Sequence, residues 1–600
     1  MLALVWLLSA AYTAHYLDRG WIPHDEGFFA QTAERVLQGQ LPHRDFDDRY
    51  TGGLTLLHSL AFRMFGIRLT SMRLVLFGFF LLWIPAMFYV ASRLVSVYAA
   101  GALTLLGVAW SLPNYPAPVT SWYNLFFAVF GTATLLRYIE VRTHRWLFVA
   151  GLCGGLSILA KVAGLYYVVG VVLFLIFREQ NLAKERDQQL ITRAYAYTAV
   201  IAAGLLVFIA LLANLIHKVP GAFGLVQFVL PALALVTLLL RREFAGIPGT
   251  NRLRATAFFR MSLPFVIGVA TPCLVFVIPY LLSHSVLALL RGTFIVPAKR
   301  MEFSAISAQT TGIGTVFLFL ALVVLIALAS EGKGKAGHVW AGILVVALAG
   351  ALWISARVEP VFEAAWFALA ISIPASVTQG AALLGTSRSA NRLSFDRQEQ
   401  LMLMLSVTGL ATLVQFPFSA ALYFCYVAPL AVLAAACLLT SMEHTSQFVL
   451  GTLLVFYLLF GILRLNPSLN PVAQTARLTL SRAGGLSVYP KEAQLYQELI
   501  PVIQSHAVGT FTYATPDCPE IYYLSGLRNP TRTLFDFLDD PEDRNARILR
   551  ALQSSGVNTV TINKDESEFS GPISPALLEA LEDRYPHSVE IGHFKVRWAH

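Results

Sequence analysis

A short polar segment near the start of the chain gathers residues that can move protons and bind phosphate. The carboxylates Asp25, Glu26 and Asp45 share this segment with Arg49. A carboxylate can accept a proton from a hydroxyl or amine as that group becomes a nucleophile, and a cation can stabilise a departing phosphate. The segment therefore contains the residue types needed for group transfer from a phosphate ester.

These acids also have an ordinary structural interpretation. Acidic residues just before a helix cap its N-terminus and complement its dipole. For Asp25 and Asp45, capping and chemistry both remain open from residue type and position alone. For Glu26, Asp47 and Asp48, the same considerations favour solvated loop charges.

Two amphipathic helices should position this polar segment. Apolar residues and Ala recur at helical spacing over residues 28–37, where Gly39 is a suitable end signal, and a second amphipathic stretch covers residues 54–65. Helices of this kind lie along a membrane surface. Asp25 would then precede the first helix and Arg49 the second, at the level of lipid headgroups.

The composition is that of a membrane protein. Of 600 residues, 56% are hydrophobic and only 13% are charged, and the mean hydropathy is +0.63. The surface of a soluble protein needs roughly twice that charge density. The net charge of +9 comes from arginines clustered between apolar runs, so it indicates membrane topology and no nucleic-acid partner. The five cysteines suggest neither a disulfide framework nor a thiol metal site.

Apolar runs and basic linkers predict the topology. About fifteen runs are long enough, or nearly so, to cross a bilayer, which gives about 13 to 15 spans. The positive-inside rule places the Arg-rich linkers in the cytoplasm, namely 137–145, 178–193, 241–260, 331–338 and 386–400. Parity then makes the loop at 18–73 and everything after residue 464 external.

The tail alternates strand-like and helix-like segments. The order is a strand at AVGTFTYAT, a helix at DRNARILRALQSSG, a strand at NTVTINK, a helix at PALLEALEDRY and one final strand at HSVEIGHFKVRW. We therefore predict a polytopic α-helical membrane domain at 1–463, with a first external loop at 18–73, and a small external α/β domain at 464–600.

The first loop carries a family resemblance. Its sequence PHDEGFFAQTAERVLQGQLPHRDFDDRYTGGLTLLHSLAFRMFG resembles the first loop of bacterial C-type glycosyltransferases related to protein O-mannosyltransferases and lipid A aminoarabinose transferases. The resemblance extends to GLCGGLSILAKVAGLYY, RGTFIVPAKR, QFPFSAALYFCYVAPL and the tail segment PEIYYLSGLRNPTRTL. It implies the C-type glycosyltransferase fold, a polyprenyl-phosphate-linked donor, an inverting mechanism and Asp25 as the catalytic base. Glu26 completes the Asp-Glu pair of the predicted catalytic set.

The chain departs from the aminoarabinose transferases in this loop. Phe28 stands where those proteins have an Arg, and Arg49 and Tyr50 stand where they have a Lys. Their following Pro-Pro is replaced by Thr51-Gly52-Gly53. The phosphate must therefore be held differently, and Arg49 is the nearest substitute.

Further cations on the predicted external face complete the candidate set for substrate binding. Lys161 ends a span and can serve a phosphate as a point charge, although snorkelling explains such a lysine equally well. Arg291, Lys299 and Arg300 form a cationic segment suited to phosphate oxygens, or simply solvated. With Arg49 and Asp45, these residues are the predicted substrate-binding set. We predict no metal and no cofactor, although clustered carboxylates leave a divalent ion open.

These expectations add up to a multi-pass glycosyltransferase of the cell inner membrane with a periplasmic active site. It would transfer a hexosyl or pentosyl group to a hydroxyl or amine of a lipid, glycan or protein acceptor. A flippase or transporter of lipid-linked sugars should carry ionisable residues in the middle of its spans, and few are evident. A surface polysaccharide polymerase or ligase would share the donor and stays open.

Overall fold

The membrane part of the chain is a bundle of helices. The computed structural model describes residues 1–186, 193–216, 224–295, 312–331, 334–386, 393–416, 420–442, 446–465, 475–565 and 571–600. Within these ranges, ten helices are long and apolar enough to cross a membrane: Leu69–Leu94, Thr120–Val141, Gly164–Lys184, Tyr195–Ile216, Leu225–Phe244, Asn251–Leu282, Ile313–Ser330, Ala336–Ile354, Glu359–Gly385 and Gln447–Arg464. The prediction of a polytopic α-helical membrane protein is confirmed.

Shorter helices fill the bundle and its ends. Three are apolar, namely Leu2–Ala14, Arg145–Ala160 and Ala428–Leu439. Further short helices among the described residues are Val97–Ala109, Val286–Phe294, Phe395–Ala411 and Ala421–Phe424. Several of the predicted short spans therefore correspond to helices of 12 to 17 residues.

Small residues allow the helices to pack closely. The helix Arg145–Ala160 lies against Asn251–Leu282. A Cβ atom on Gly151 would lie 2.1 Å from the carbonyl oxygen of Phe265. Only glycine permits this approach of two backbones, which is the usual way that membrane helices gain packing energy without a hydrophobic driving force.

The helix that begins at Gly164 continues to Arg186, well into the linker that we predicted to begin at residue 178. Arg178 and Glu179 are therefore helical, and both are buried. Arg178 pairs with Glu399, and Glu179 pairs with Arg254. The linker boundary was wrong because the charges are neutralised by buried partners from other helices, and no single segment reveals such partners.

The described part of the tail contains two small sheets and four α-helices. The strands are β1 (Ala476–Arg477), β2 (Ser487–Val488), β3 (Tyr513–Thr515), β4 (Thr559–Asn563), β5 (His587–Ile591) and β6 (Phe594–Trp598). The helices are Pro490–His506, Pro519–Ser525, Arg544–Ser554 and Pro575–Arg584. The larger sheet has the order β3-β4-β6-β5, with β3 and β4 parallel and the other pairs antiparallel.

The end of the tail differs from the prediction of one final strand. The segment folds back on itself as a hairpin, in which Ile591 pairs with Phe594 across a two-residue turn. Gly592 in that turn has a φ of 58°, the left-handed conformation that short hairpin turns require. The hairpin gives the sheet its fourth strand.

Hydrogen bonds and an ion pair join the tail to the first loop. The backbone N–H of Gly20 donates to the Ser487 carbonyl, and the N–H of Ser487 donates to the Asp18 carbonyl, both at 2.8 Å. Arg482 pairs with Glu34 at 2.8 Å. The first loop and the tail therefore lie at the same end of the helical bundle.

Candidate active site

Two helices of the first loop frame the candidate site. The first loop helix, Pro23–Leu37, begins after Ile22, whose extended backbone and the proline ring at the first helical position set its start. Asp25 is therefore inside the first turn and not ahead of the helix as predicted. The second loop helix is Gly53–Phe65.

The Asp25 carboxylate contacts groups from three other positions. The Tyr115 hydroxyl donates to Oδ2 at 3.0 Å. Arg49 Nη2 lies 3.4 Å from Oδ1, and His24 Nε2 lies 3.7 Å from the same oxygen. The side chain of Asp25 is 22% exposed. A carboxylate held this way is fixed in orientation yet accessible, as a base that receives a proton from a ligand needs to be.

Arg49 packs against two aromatic rings, those of Phe28 and Phe535, which we call the Arg49 clamp. Its Cζ atom lies 4.3 Å from the centre of the Phe28 ring and 4.2 Å from the centre of the Phe535 ring. The Arg49 side chain is only 7% exposed. Both rings contact the guanidinium by cation–π interaction, and their centres are 5.8 Å apart, so the two rings form a corner around it. The departure at Phe28 thus builds half of the clamp.

Lys161 lies near Tyr50, the residue that follows Arg49. Its Nζ atom is 6.0 Å from the centre of the Tyr50 ring and 3.4 Å from Ser121 Oγ. Thr51 Oγ1 donates to the Ile158 carbonyl at 3.0 Å, which ties the start of the second loop helix to the end of the helix that precedes Lys161. The structure therefore brings Asp25, Arg49 and Lys161 into one region.

Tyr115 comes from the turn between the helices that end at Ala109 and begin at Thr120. Trp122 donates from Nε1 to the Tyr115 carbonyl at 2.9 Å, and the Trp122 ring meets the Tyr426 ring edge-on at 4.6 Å. Burial, and then the charge of Asp25, raise the pKa of the Tyr115 hydroxyl well above its usual value. Tyr115 therefore stays protonated and donates to Asp25.

Glu26 occupies a different environment from its neighbour. Arg73 donates to the Glu26 carboxylate from Nε at 2.8 Å and from Nη2 at 2.6 Å, and both side chains are at most 1% exposed. Arg73 also donates to the Leu17 carbonyl at 2.9 Å. The structure therefore places Glu26 in a closed ion pair, away from the accessible carboxylate of Asp25.

Asp48 is buried rather than solvated. Its carboxylate accepts from the Tyr50 N–H at 2.8 Å and from Thr55 Oγ1 at 2.5 Å. Burial raises the pKa of Asp48 and lowers that of the neighbouring His43. This group fixes the turn that precedes the second loop helix, and so it positions Arg49.

Asp45 forms its own turn. Its carboxylate accepts from the Leu41 N–H at 2.7 Å and from the Arg44 guanidinium at 2.9 and 2.7 Å. The hydrogen bond from Arg44 lowers the pKa of Asp45. None of these contacts joins Asp45 to the Asp25 group.

The remaining predicted cations lie elsewhere. Arg291 is 64% exposed and lies 3.7 Å from Asp540 of the tail. Arg300 and Lys299 fall outside the described residues. Within the described ranges, no group of three or more His, Cys, Asp and Glu side chains could hold a metal ion.

Sequence reasoning missed two residues of the site. Tyr115 was not among the predicted site residues, and Phe535 was placed only in the tail. Both meet the first loop through long-range packing, since Tyr115 and Asp25 are 90 residues apart. The available signal was the family resemblance of the tail segment, which ends at Leu534 directly before Phe535.

Comparisons with known proteins give structural matches only. No family model and no curated protein matches the chain. ArnT from Cupriavidus metallidurans bound to undecaprenyl phosphate matches at 13% identity and a TM-score of 0.41, over 99% of this chain and 97% of that one. Its apo structure matches at 13% identity and a TM-score of 0.38, over 99% and 96%.

An oligosaccharyltransferase from Archaeoglobus fulgidus, tethered to an acceptor peptide, is also similar. The match has 12% identity and a TM-score of 0.39, and it covers 93% of this chain and 68% of that one.

Proposed function

We propose that this chain is a membrane glycosyltransferase that moves a sugar from a polyprenyl-phosphate-linked donor to an acceptor hydroxyl or amine, with Asp25 as the general base. The observation that supports this most directly is the Asp25 carboxylate. It is accessible, oriented by the Tyr115 hydroxyl, and lies 3.4 Å from an arginine in a loop between membrane helices. The first-loop resemblance points to the same role.

In this mechanism Asp25 takes the proton of the acceptor as the acceptor atom attacks the anomeric carbon. A new bond forms to that carbon while its bond to the phosphate oxygen breaks, and the electron pair leaves with the lipid phosphate. Attack from the face opposite the phosphate inverts the configuration. The proton then passes from Asp25 to solvent, which returns the base to its starting state.

Arg49 and Lys161 would receive the phosphate. The contacts with Phe28 and Phe535 hold the Arg49 guanidinium in place, and its planar fork of N–H groups suits two oxygens of one phosphate. Lys161 adds a point charge beside Tyr50. Charge that develops on the leaving phosphate would then be met by groups already in place, which lowers the barrier without reorganisation.

Glu26 and Asp45 have positioning roles in this proposal. Glu26 fixes the start of the first loop helix by its ion pair with Arg73. Asp45 fixes the turn that begins at Leu41 by accepting from the Leu41 N–H. The external face of the inner membrane remains the predicted location of the site.

A binding measurement and a transfer measurement test the proposal together. Undecaprenyl phosphate is a probe that requires no knowledge of the sugar. We expect Asp25→Asn to bind it like the parent but to lose transfer, which is read out by mass spectrometry of surface glycans in a complemented deletion strain. Arg49→Ala should lose binding. Normal glycans with Asp25→Asn would refute the assignment of the base.

A further inference from the structure

A cleft separate from the phosphate-binding residues lies between the first loop helix and the tail. Its volume is about 340 Å³, within the range of small-molecule sites. Pro23 and His24 line it from the loop, and Tyr496 and Phe594 line it from the tail. Arg49, Tyr115 and Lys161 are not part of its lining. We call this space the acidic cleft.

The lining of the acidic cleft is rich in carboxyl groups. Four carboxylates face it, from Glu492, Asp517, Glu520 and Asp565, and no lysine or arginine belongs to the lining. The four come from separate parts of the tail: the helix Pro490–His506, the start of the helix Pro519–Ser525 and the end of β4. Carboxylates that lie close together repel one another, so a cation in the cleft would be bound favourably.

Glu520 supplies a separate sign of a ligand. Its side chain is 2% exposed, and Oε1 accepts from the Tyr496 hydroxyl at 3.2 Å. Its other oxygen, Oε2, has no hydrogen-bond partner among the described residues. A buried polar atom without a partner costs free energy, and here the residue lines an open cleft in which a donor can reach it.

The first loop explains why this carboxylate is in place. A Cβ atom on Gly27 would lie 2.4 Å from the backbone nitrogen of Glu520, so the first loop helix and the helix Pro519–Ser525 touch backbone to backbone. Burial raises the pKa of Glu520 to about 8 and that of Glu492 to about 7. A bound cation would stabilise the ionised form of both carboxyl groups, which burial disfavours.

The acidic cleft leads to the candidate base. His24 lines the cleft, and its Nε2 atom lies 3.7 Å from Asp25 Oδ1. A ligand that fills the cleft would therefore contact His24, the side chain that lies beside Asp25. Because the phosphate-binding cations lie elsewhere, this space suits the acceptor rather than the donor phosphate.

We propose that the acidic cleft binds an ammonium group of the acceptor and presents a hydroxyl of the same molecule to Asp25. This assignment rests on the proposed transferase function and narrows its acceptor to amine-bearing molecules. The ammonium has no free electron pair, so it keeps its protons and the hydroxyl oxygen forms the new bond. The described residues offer no set of three close metal ligands, which favours an organic cation over a metal ion.

Retention of radiolabelled glucosamine by the purified full chain in nanodiscs tests this assignment. We expect saturable retention that unlabelled glucosamine displaces and glucose does not. Glu492→Gln, Glu520→Gln and Asp565→Asn should each weaken retention by about tenfold, the scale of one charge-assisted hydrogen bond. Glu498→Gln is the matched control, because Glu498 is exposed on the same helix as Glu492 and does not line the cleft.

Several results would overturn the assignment. These are no saturable retention by the parent, equal retention by the parent and the three cleft variants, or complete displacement by an equal concentration of Mg²⁺. Asp565 is exposed, so its variant remains informative if Glu520→Gln does not fold.

Retention needs no turnover, so the test is separate from that of the base. An inactive Asp25→Asn beside a parent that retains no glucosamine refutes only the cleft. An active Asp25→Asn beside normal retention refutes the transferase mechanism and leaves an amine-binding cleft.

Discussion

Two carboxylate–arginine groups in this chain have opposite geometries. Arg254 contacts both Glu179 and Glu243 at 2.6 Å, and each of these side chains is at most 1% exposed. Arg49 and Asp25 are 3.4 Å apart, and Asp25 is 22% exposed. A buried ion pair with short contacts leaves no hydrogen-bonding group available to a ligand. A pair with a longer separation and an accessible carboxylate does leave such a group available. Residue type alone cannot distinguish the two.

The Arg254 group should show the largest effect on stability. Arg254→Met would leave two buried carboxylates without their cation, and breaking such a pair costs about 3–5 kcal/mol. We expect a much lower thermal midpoint in detergent. Arg252→Met is the matched control, since Arg252 is exposed two positions earlier on the same helix. Equal midpoints for the two variants would contradict a structural role for the Arg254 group.

Asp25 should show the largest effect on chemistry. Asp25→Asn keeps the volume of the side chain and can still accept from Tyr115, so the fold should be preserved. The rate of transfer should fall by about 10²-fold or more, the scale of general-base loss. The measurement is transfer by purified protein together with its thermal midpoint. A rate within a few-fold of the parent would make Asp25 structural.

Arg49 should have an intermediate effect. Arg49→Lys keeps the charge but loses the planar group that packs against Phe28 and Phe535. We expect about tenfold weaker binding of undecaprenyl phosphate, corresponding to the loss of one charge-assisted hydrogen bond. Arg532→Lys is a control in the tail, because Arg532 pairs with Asp47 outside the clamp. Unchanged affinity in Arg49→Lys would show that a point charge is enough.

The comparison also shows how far the sequence could predict this molecule. Apolar runs and basic linkers predict a helical membrane domain because the bilayer requires long apolar segments. The positions of Arg178 and Glu179 were not predictable, since their partners Glu399 and Arg254 come from other helices. A run of charged residues in the sequence predicts a solvated linker, unless the partners that bury those charges are already known.

The site was predictable only in part for the same reason. The loop motif identified Asp25 and Arg49, which the structure brings together. The sequence favoured a solvated Glu26, whereas Arg73 holds that carboxylate in a buried ion pair, and it did not identify Tyr115 as a partner of Asp25. Phe535 closes the Arg49 clamp from the tail. No local pattern encodes contacts of this kind.

A smaller effect is expected from the pH dependence of stability. The pKa of Glu520 is raised from 4.5 to about 8, so the folded state binds this proton more tightly than the unfolded state does. The resulting stabilisation is complete below pH 4.5 and is lost as the pH rises through about 8. Thermal midpoints should therefore fall between pH 5 and pH 8, and they should fall less in Glu520→Gln. The same slope in both proteins would exclude Glu520 as a source of this dependence.

The smallest effect should come from Asp45, which shares its loop and its residue type with Asp25. Its carboxylate is already occupied by Arg44 and the Leu41 N–H, and the Asp45–Arg44 pair is partly exposed. Exposed pairs contribute roughly 0–1 kcal/mol. Asp45→Asn should therefore lower the thermal midpoint only slightly and keep transfer within a few-fold of the parent. Asp45→Asn and Asp25→Asn are the same chemical change. They differ in that the Asp45 carboxylate is already hydrogen-bonded within its own turn, whereas Asp25 is accessible to a ligand. An equal loss of transfer in both variants would mean that the reacting groups extend to the Leu41–Asp45 turn.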